Sequence, residues 1–124
     1  MIKESYVSYE IAKLLKEKGF DESSFAYYSE FDDWKILRFW RKYARNPINT
    51  FYLCAPTHQM ACAWLRKVHN IFIEISTSID FNGGYHFGYA ILDKECKYVR
   101  YIDSDWDYED AVEAALKYVL ENLI

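Results

Sequence analysis

Apolar positions recur along this chain with two periods, and where each period holds, an element can be placed. From Ser8 to Lys18, Ile11, Leu14 and Leu15 fall on one side of a helix and Lys13, Lys16 and Glu17 on the other. Ser8 is a good N-cap, and Gly19 stands where a left-handed residue ends a helix. The closing segment carries the cleanest stripe: Ala111, Val112, Ala115, Leu116, Val119, Leu120 and Leu123. It starts near Asp107, where Asp107 and Asp110 resemble a capping box with an aspartate in place of the usual Glu or Gln. A third helix spans Thr57 to His69. At about 100° per residue, Met60, Ala61, Trp64, Leu65 and Val68 form its buried stripe. Gln59, Arg66 and Lys67 lie opposite, and His58, Cys62 and His69 sit on the boundary.

Period-two segments lie between the helices. "SFAYYSE" reads as a strand, and "TFYLC" as a short extended piece before Pro56, which keeps Ala55 out of helical geometry. "IFIEISTS" puts Ile71, Ile73 and Ile75 on one face. The Asn82-Gly83 pair signals a tight turn into "YHFGYAILD", and a second turn at Asp93-Lys94-Glu95 leads into "KYVRYID". Residues 33–45 fit both periods. Trp34, Ile36, Arg38 and Trp40 alternate as on a strand, while Ile36, Leu37, Trp40 and Tyr43 fit a helix; a strand paired with residues 24–30 is the reading adopted. The order is α-β-β-(β)-α-β-β-β-α. It predicts a single α+β domain over residues 1–124, with about three helices packed on a mostly antiparallel sheet of about five strands.

Composition narrows the setting. Hydrophobic residues at 52% against 27% charged make this a globular chain rather than a disordered one. The start, "MIKESYVSYE", has no apolar core of a secretory signal. No apolar run reaches the roughly 18 residues of a membrane helix. Three cysteines, Cys54, Cys62 and Cys96, are then read as reduced thiols, and the expected compartment is the cytoplasm. A net charge of −4 argues against non-specific binding to nucleic acid or to an acidic membrane. With 12 Tyr, 8 Phe and 4 Trp, a domain of this size cannot hide every ring, so some rings are expected at the surface, where they favour contact with a partner.

Each candidate chemistry is incomplete. His58 and Cys62 at i and i+4 could reach one metal ion, with His69 or the distant His86 as further ligands. There is, however, no C-x-x-C and no H-E-x-x-H, so ordinary helix-flank residues are the simpler reading and no metal or other cofactor is assigned. Thiol catalysis by Cys62 with His58 would need a lowered thiol pKa, yet Cys62 lies about five residues into the helix, where the dipole has faded. "DSDWDYED" opens like a calcium loop, but Tyr108 replaces the required Gly and Ala114 the required Glu, so capping explains its acids. "WKILRFWRKYAR" offers Trp34, Arg38, Trp40, Arg41, Lys42 and Arg45 as candidate contacts for single-stranded nucleic acid, charge for phosphates and rings for bases. Long cationic side chains lying over half-buried rings explain the same pattern. Residues 57–123 share the α-β-β-β-α order of double-stranded RNA-binding domains, but the final helix starts with "DWDYED" where that module needs lysines, and its function is rejected.

The combination of "APTHQMACAWLRKVHNIFIEI", "YEDAVEAALKYVLENLI" and, near the start, "IAKLLKEKGFDE" resembles a family of small uncharacterised proteins of anaerobic gut bacteria and their prophages, phages and mobile elements. The likeness covers both ends and the centre of the chain; residues 30–50 stand apart. It implies structural roles, with Thr57 as a cap and Trp64 and Leu65 as core, and it implies no activity or catalytic residue. The sequence therefore reads as a non-enzymatic cytoplasmic accessory protein that works through contact with another protein or with itself, and not with a membrane. A single-stranded nucleic-acid binder using residues 34–45 is the alternative, and a metal- or thiol-dependent enzyme around His58 and Cys62 the second.

Overall fold

A computed structural model of the protein describes residues 2–44 and 51–124, at 41–44 by the backbone alone. The described residues form three α-helices and six strands, and the strands make two antiparallel sheets of three rather than one sheet of about five. The chain divides into two compact units, Met1–Ala61 with Ile124, and Cys62–Leu123. Among the described residues no helix is long and apolar enough to cross a membrane.

In the first unit, α1 (Tyr9–Glu17) is capped by Ser8, whose Oγ accepts from the Ile11 amide at 3.3 Å. It ends as Gly19 takes φ +89° and the Phe20 amide reaches back to the Leu15 carbonyl at 2.9 Å. Of the predicted stripe, Ile11 and Leu15 are buried and Leu14 half-buried; Ala12 joins the buried face, and the helix packs on β3 (Tyr52–Ala55). Strand β1 (Ser24–Ser29) is central, between β3 and β2 (Arg38–Ala44). Ala26 pairs with Ala55 and Tyr28 with Leu53. These four residues are buried on the side of α1, where the Tyr28 ring meets Tyr9 and the Tyr28 hydroxyl donates to the Val7 carbonyl at 2.8 Å.

Among the described residues the strand reading of residues 33–45 holds from Arg38 to Ala44, antiparallel to β1, and residue 45 lies outside them. Trp34 and Ile36 lie outside it. After β1 the chain makes a 3-10 turn, Glu30–Asp32, capped by Ser29, and then two consecutive residues, Asp33 and Trp34, adopt φ of 52° and 62°. Left-handed geometry at two adjacent non-glycine residues reverses the chain and ends any period-two pattern there.

Helix α2 (His58–His69) begins as predicted, with Thr57 Oγ1 accepting from the Met60 amide at 3.1 Å. Ala61, Trp64 and Leu65 are buried, but Val68, assigned to the same stripe, is 54% exposed. Its angle on the wheel is right. Its place along the axis is not: it sits in the last turn, just before Asn70 (φ 56°) turns the chain and the Ile71 amide returns to the Leu65 carbonyl.

The second unit holds β4 (Phe72–Ile79), β5 (Tyr85–Leu92), β6 (Tyr98–Trp106) and α3 (Tyr108–Asn122). The sheet order β4-β5-β6 follows the sequence. Both turns use one device. The backbone of Asp80 exchanges hydrogen bonds with Gly83 and Gly84, and its Oδ1 accepts from the Asn82 and Gly84 amides. Asp93 does the same with Cys96 and Lys97, its Oδ1 accepting from the Glu95 and Lys97 amides. The left-handed position is Gly83 (φ 79°) in the first turn and Cys96 (φ 60°) in the second. Asp107 caps α3, accepting from the Asp110 amide at 2.8 Å. Ala111, Val112, Ala115, Leu116, Val119 and Leu120 of the predicted stripe are buried, and Leu123 closes the helix half-buried.

Helix α3 packs chiefly on β5. On that face Ile73 pairs with Ile91 and Ile75 with Tyr89, while Arg100 donates from Nε to the Tyr89 hydroxyl at 2.9 Å and lays its guanidinium 4.0 Å from the centre of the Tyr118 ring. Gly88 faces the other way, where β6 bulges against β5; a Cβ at this position would run into the Ile102 carbonyl oxygen and lie 2.9 Å from Asp103 Cα.

Candidate functional site

Alternation along β1 decides where its rings go. Since Ala26 and Tyr28 point to α1, Tyr27 points to the opposite face of the sheet. There Tyr27 stacks on Trp40 of β2 (4.4 Å between centroids, 19° between planes) and meets Tyr52 of β3 edge-on at 5.6 Å. Phe31, from the 3-10 turn, joins Tyr52 at 6.2 Å and stacks on Phe51 at 5.8 Å. Five rings thus run across all three strands, and Phe31 is 75% exposed. Elsewhere in the unit, Phe39 touches Tyr6 and Phe25, and both Phe39 and Phe25 are exposed.

Of the candidate nucleic-acid residues with described side chains, Trp40 lies on this surface and Arg38 is paired with Tyr27 across β1 and β2. Trp34 stacks on Tyr9 of α1 at 5.4 Å, apart from the Trp40–Tyr27 stack. Arg38 is engaged by Asp32 through two parallel hydrogen bonds, one of them Nη2 to Oδ1 at 3.0 Å. This fork raises the Arg38 pKa and lowers that of Asp32, each through the hydrogen bond first and the charge second for Arg38. The one described cation of the set therefore already has its anion. The side chains of Arg41 and Lys42, and all of Arg45, lie outside the described residues.

The His and Cys candidates lie on two elements, α2 and β5. His58, Cys62 and His69 are half-buried along α2. Burial pushes the Cys62 thiol up to about 11, against the weaker opposing charge of Arg66, and the Cys54 thiol up to about 12. A thiol nucleophile working at neutral pH needs the opposite shift. His69 lies edge-on to Trp64 at 4.8 Å, and its Nε2 is buried with no hydrogen-bond partner among the described residues. His86 is on β5, its Nε2 3.9 Å from Asp103 Oδ1. Among the described residues no group of three or more His, Cys, Asp or Glu could hold a metal ion. Asp103 and Asp105 are extended within β6 and Asp107 caps α3, so the "DSDWDYED" stretch forms no ion-binding loop.

The sequence reading missed Tyr27, Phe31, Phe51 and Tyr52 as members of one surface. The signal was present in part, since Phe25 and Tyr27 alternate with Ala26 in "SFAYYSE". It also gave no sign of a cleft of about 440 Å³ in the second unit, where His69 and Asn70 meet Ile71, Ile91, Val99 and the Asp93–Glu95 turn. Comparison with protein-family models, with curated proteins and with solved structures finds no significant match to this chain.

Proposed function

We propose that this chain is a non-enzymatic accessory protein that binds another protein through the ring-covered face of the β2-β1-β3 sheet. A cytoplasmic setting and the mobile-element context implied by the resemblance belong to the same proposal. The observation that carries it is the continuous run Trp40–Tyr27–Tyr52–Phe31–Phe51 with Phe31 open to water. Rings held in place by their neighbours lose little side-chain freedom on association, and aromatic residues anchor protein interfaces. A nucleic-acid platform would need cations beside the rings, and Arg38 is already neutralised on a chain of net charge −4.

The test compares wild-type protein with a Phe31→Ser, Phe51→Ser variant as bait in quantitative affinity capture from the native host. A protein retained by the wild type and lost by about tenfold or more on the variant supports the reading, that ratio being the loss of one good aromatic anchor. Capture that is indifferent to the rings overturns it. Fluorescence anisotropy with a labelled single-stranded oligonucleotide at two salt concentrations tests the alternative, because phosphate contacts weaken as salt rises.

A further inference from the structure

We infer that strand β4 is an open edge that pairs, antiparallel, with β4 of a second copy of this chain. The inference is independent of the aromatic face, which lies in the other unit. Among the described residues the sheet order β4-β5-β6 leaves two strands with no neighbour on one side. Half the backbone hydrogen-bonding groups of such a strand point away from the sheet, and natural edges are protected by bulges, charges or proline.

The two edges differ in just this respect. Strand β6 shifts register twice against β5 and carries Arg100, Asp103 and Asp105. Strand β4, "FIEISTSI", pairs with β5 through eight consecutive residues without a shift. It contains neither proline nor glycine, and Glu74 is its single charge. Phe72 and Ile79, at its two ends, are exposed.

The side chains also match themselves. A two-fold axis through Ser76, perpendicular to the sheet, places Ile73 opposite Ile79 of the second copy and Ile75 opposite Thr77 on the α3 side. On the other side it places Glu74 opposite Ser78, and Ser76 opposite itself. Ile73 and Ile79 meet as an apolar pair at both ends of the seam, two β-branched residues, Ile75 and Thr77, meet inside it, Phe72 lies opposite Asp80 at its margins, and the two Glu74 carboxylates stay apart. A register centred on Glu74 would bring those carboxylates face to face, which disfavours it. The product is a six-stranded sheet with β6 at both rims. One eight-residue ladder buries less than the roughly 800 Å² per partner of a standard interface, so this is a weak dimer that forms as concentration rises.

Sedimentation velocity on the full chain, from about 5 to about 500 μM, reads the association directly over the range in which weak interfaces form. A Thr77→Lys, Ile79→Lys variant adds the lysines that edge strands normally carry. Because symmetry makes each change count twice, it should raise the dimer dissociation constant at least about tenfold. Tyr101→Lys, on the β6 edge, should leave it unchanged. Hydrogen exchange on the unaltered protein gives a second readout free of any folding defect: β4 amides gain protection as concentration rises, and β6 amides do not. A chain monomeric across the range overturns the inference, as does a dimer that survives the two lysines. A dimer abolished by Phe31→Ser instead would put the second copy on the aromatic face and also overturn it.

Discussion

In the β2-β1-β3 sheet the central strand is the first in sequence, β3 skips past β2 to reach it, and the face away from α1 is tiled with rings. In the β4-β5-β6 sheet every strand pairs with its neighbour in sequence, and α3 lies over a face where Ile73, Ile75 and Ile91 sit with Tyr89. The first sheet is joined by a 3-10 turn with two left-handed residues and a shifted register; the second uses one aspartate-capped turn twice. The difference is one of connection: the first sheet gathers rings from separate stretches of sequence into one run, and the second closes through neighbours. Exposed rings occur in both units, Phe25, Phe31, Phe39 and Phe51 in the first and Phe72, Phe81, Tyr85, Tyr98, Tyr101 and Tyr108 in the second.

The largest test of the buried side is Trp64→Ala. The indole is 7% exposed, and its loss should cost about 3–5 kcal/mol in chemical denaturation. A loss under about 1 kcal/mol would mean that the burial of this unit does not rest on α2. Tyr28→Phe probes the first unit in the same way. It removes the hydroxyl that satisfies the Val7 carbonyl and should cost about 1–3 kcal/mol; no change would show that the α1 side of that sheet is as loosely held as its ring-covered face.

The thiols give a comparison within reach of a pH titration. Burial raises Cys62 to about 11 and Cys54 to about 12 from an ordinary 9.0, so the folded state keeps protons that the unfolded chain releases. Their contribution to stability is complete below about pH 9 and falls as pH rises through the folded values. At neutral pH, exposed Cys96 should react with iodoacetamide well before buried Cys54 or half-buried Cys62. Equal rates would contradict the burial of α2 and β3. The smallest effect is expected at the twin turns. Cys96→Gly removes left-handed strain from a residue with a Cβ and should stabilise the second unit by about 0.5–1 kcal/mol, the strain relieved minus the flexibility that glycine adds to the unfolded chain.

What the sequence made legible was local. Ser8, Thr57 and Asp107 act as caps within three residues of the groups they bind, and the stripe of α3 repeats often enough to be unambiguous. What it hid depends on partners far along the chain. Two sheets in place of one could not be read from alternation, because alternation reports a strand's faces and says nothing about its neighbours. The left-handed turn at Asp33 and Trp34 carries no glycine to announce it, and Cys96 repeats the geometry of Gly83 without the Asn-Gly signal. The ring surface escaped for a related reason: Tyr27, Phe31 and Tyr52 are separate in sequence, and only the order β2-β1-β3 brings them together.

The paired aspartate turns also set a timetable. Each ladder of the second sheet closes across a short loop, the kind of contact a chain finds in microseconds, whereas β3 meets β1 across a longer stretch of chain that includes β2. The second half of the molecule therefore acquires its structure first during refolding, and pulse-labelled hydrogen exchange should find amides of β4, β5 and β6 shielded while those of β1 and β3 still exchange.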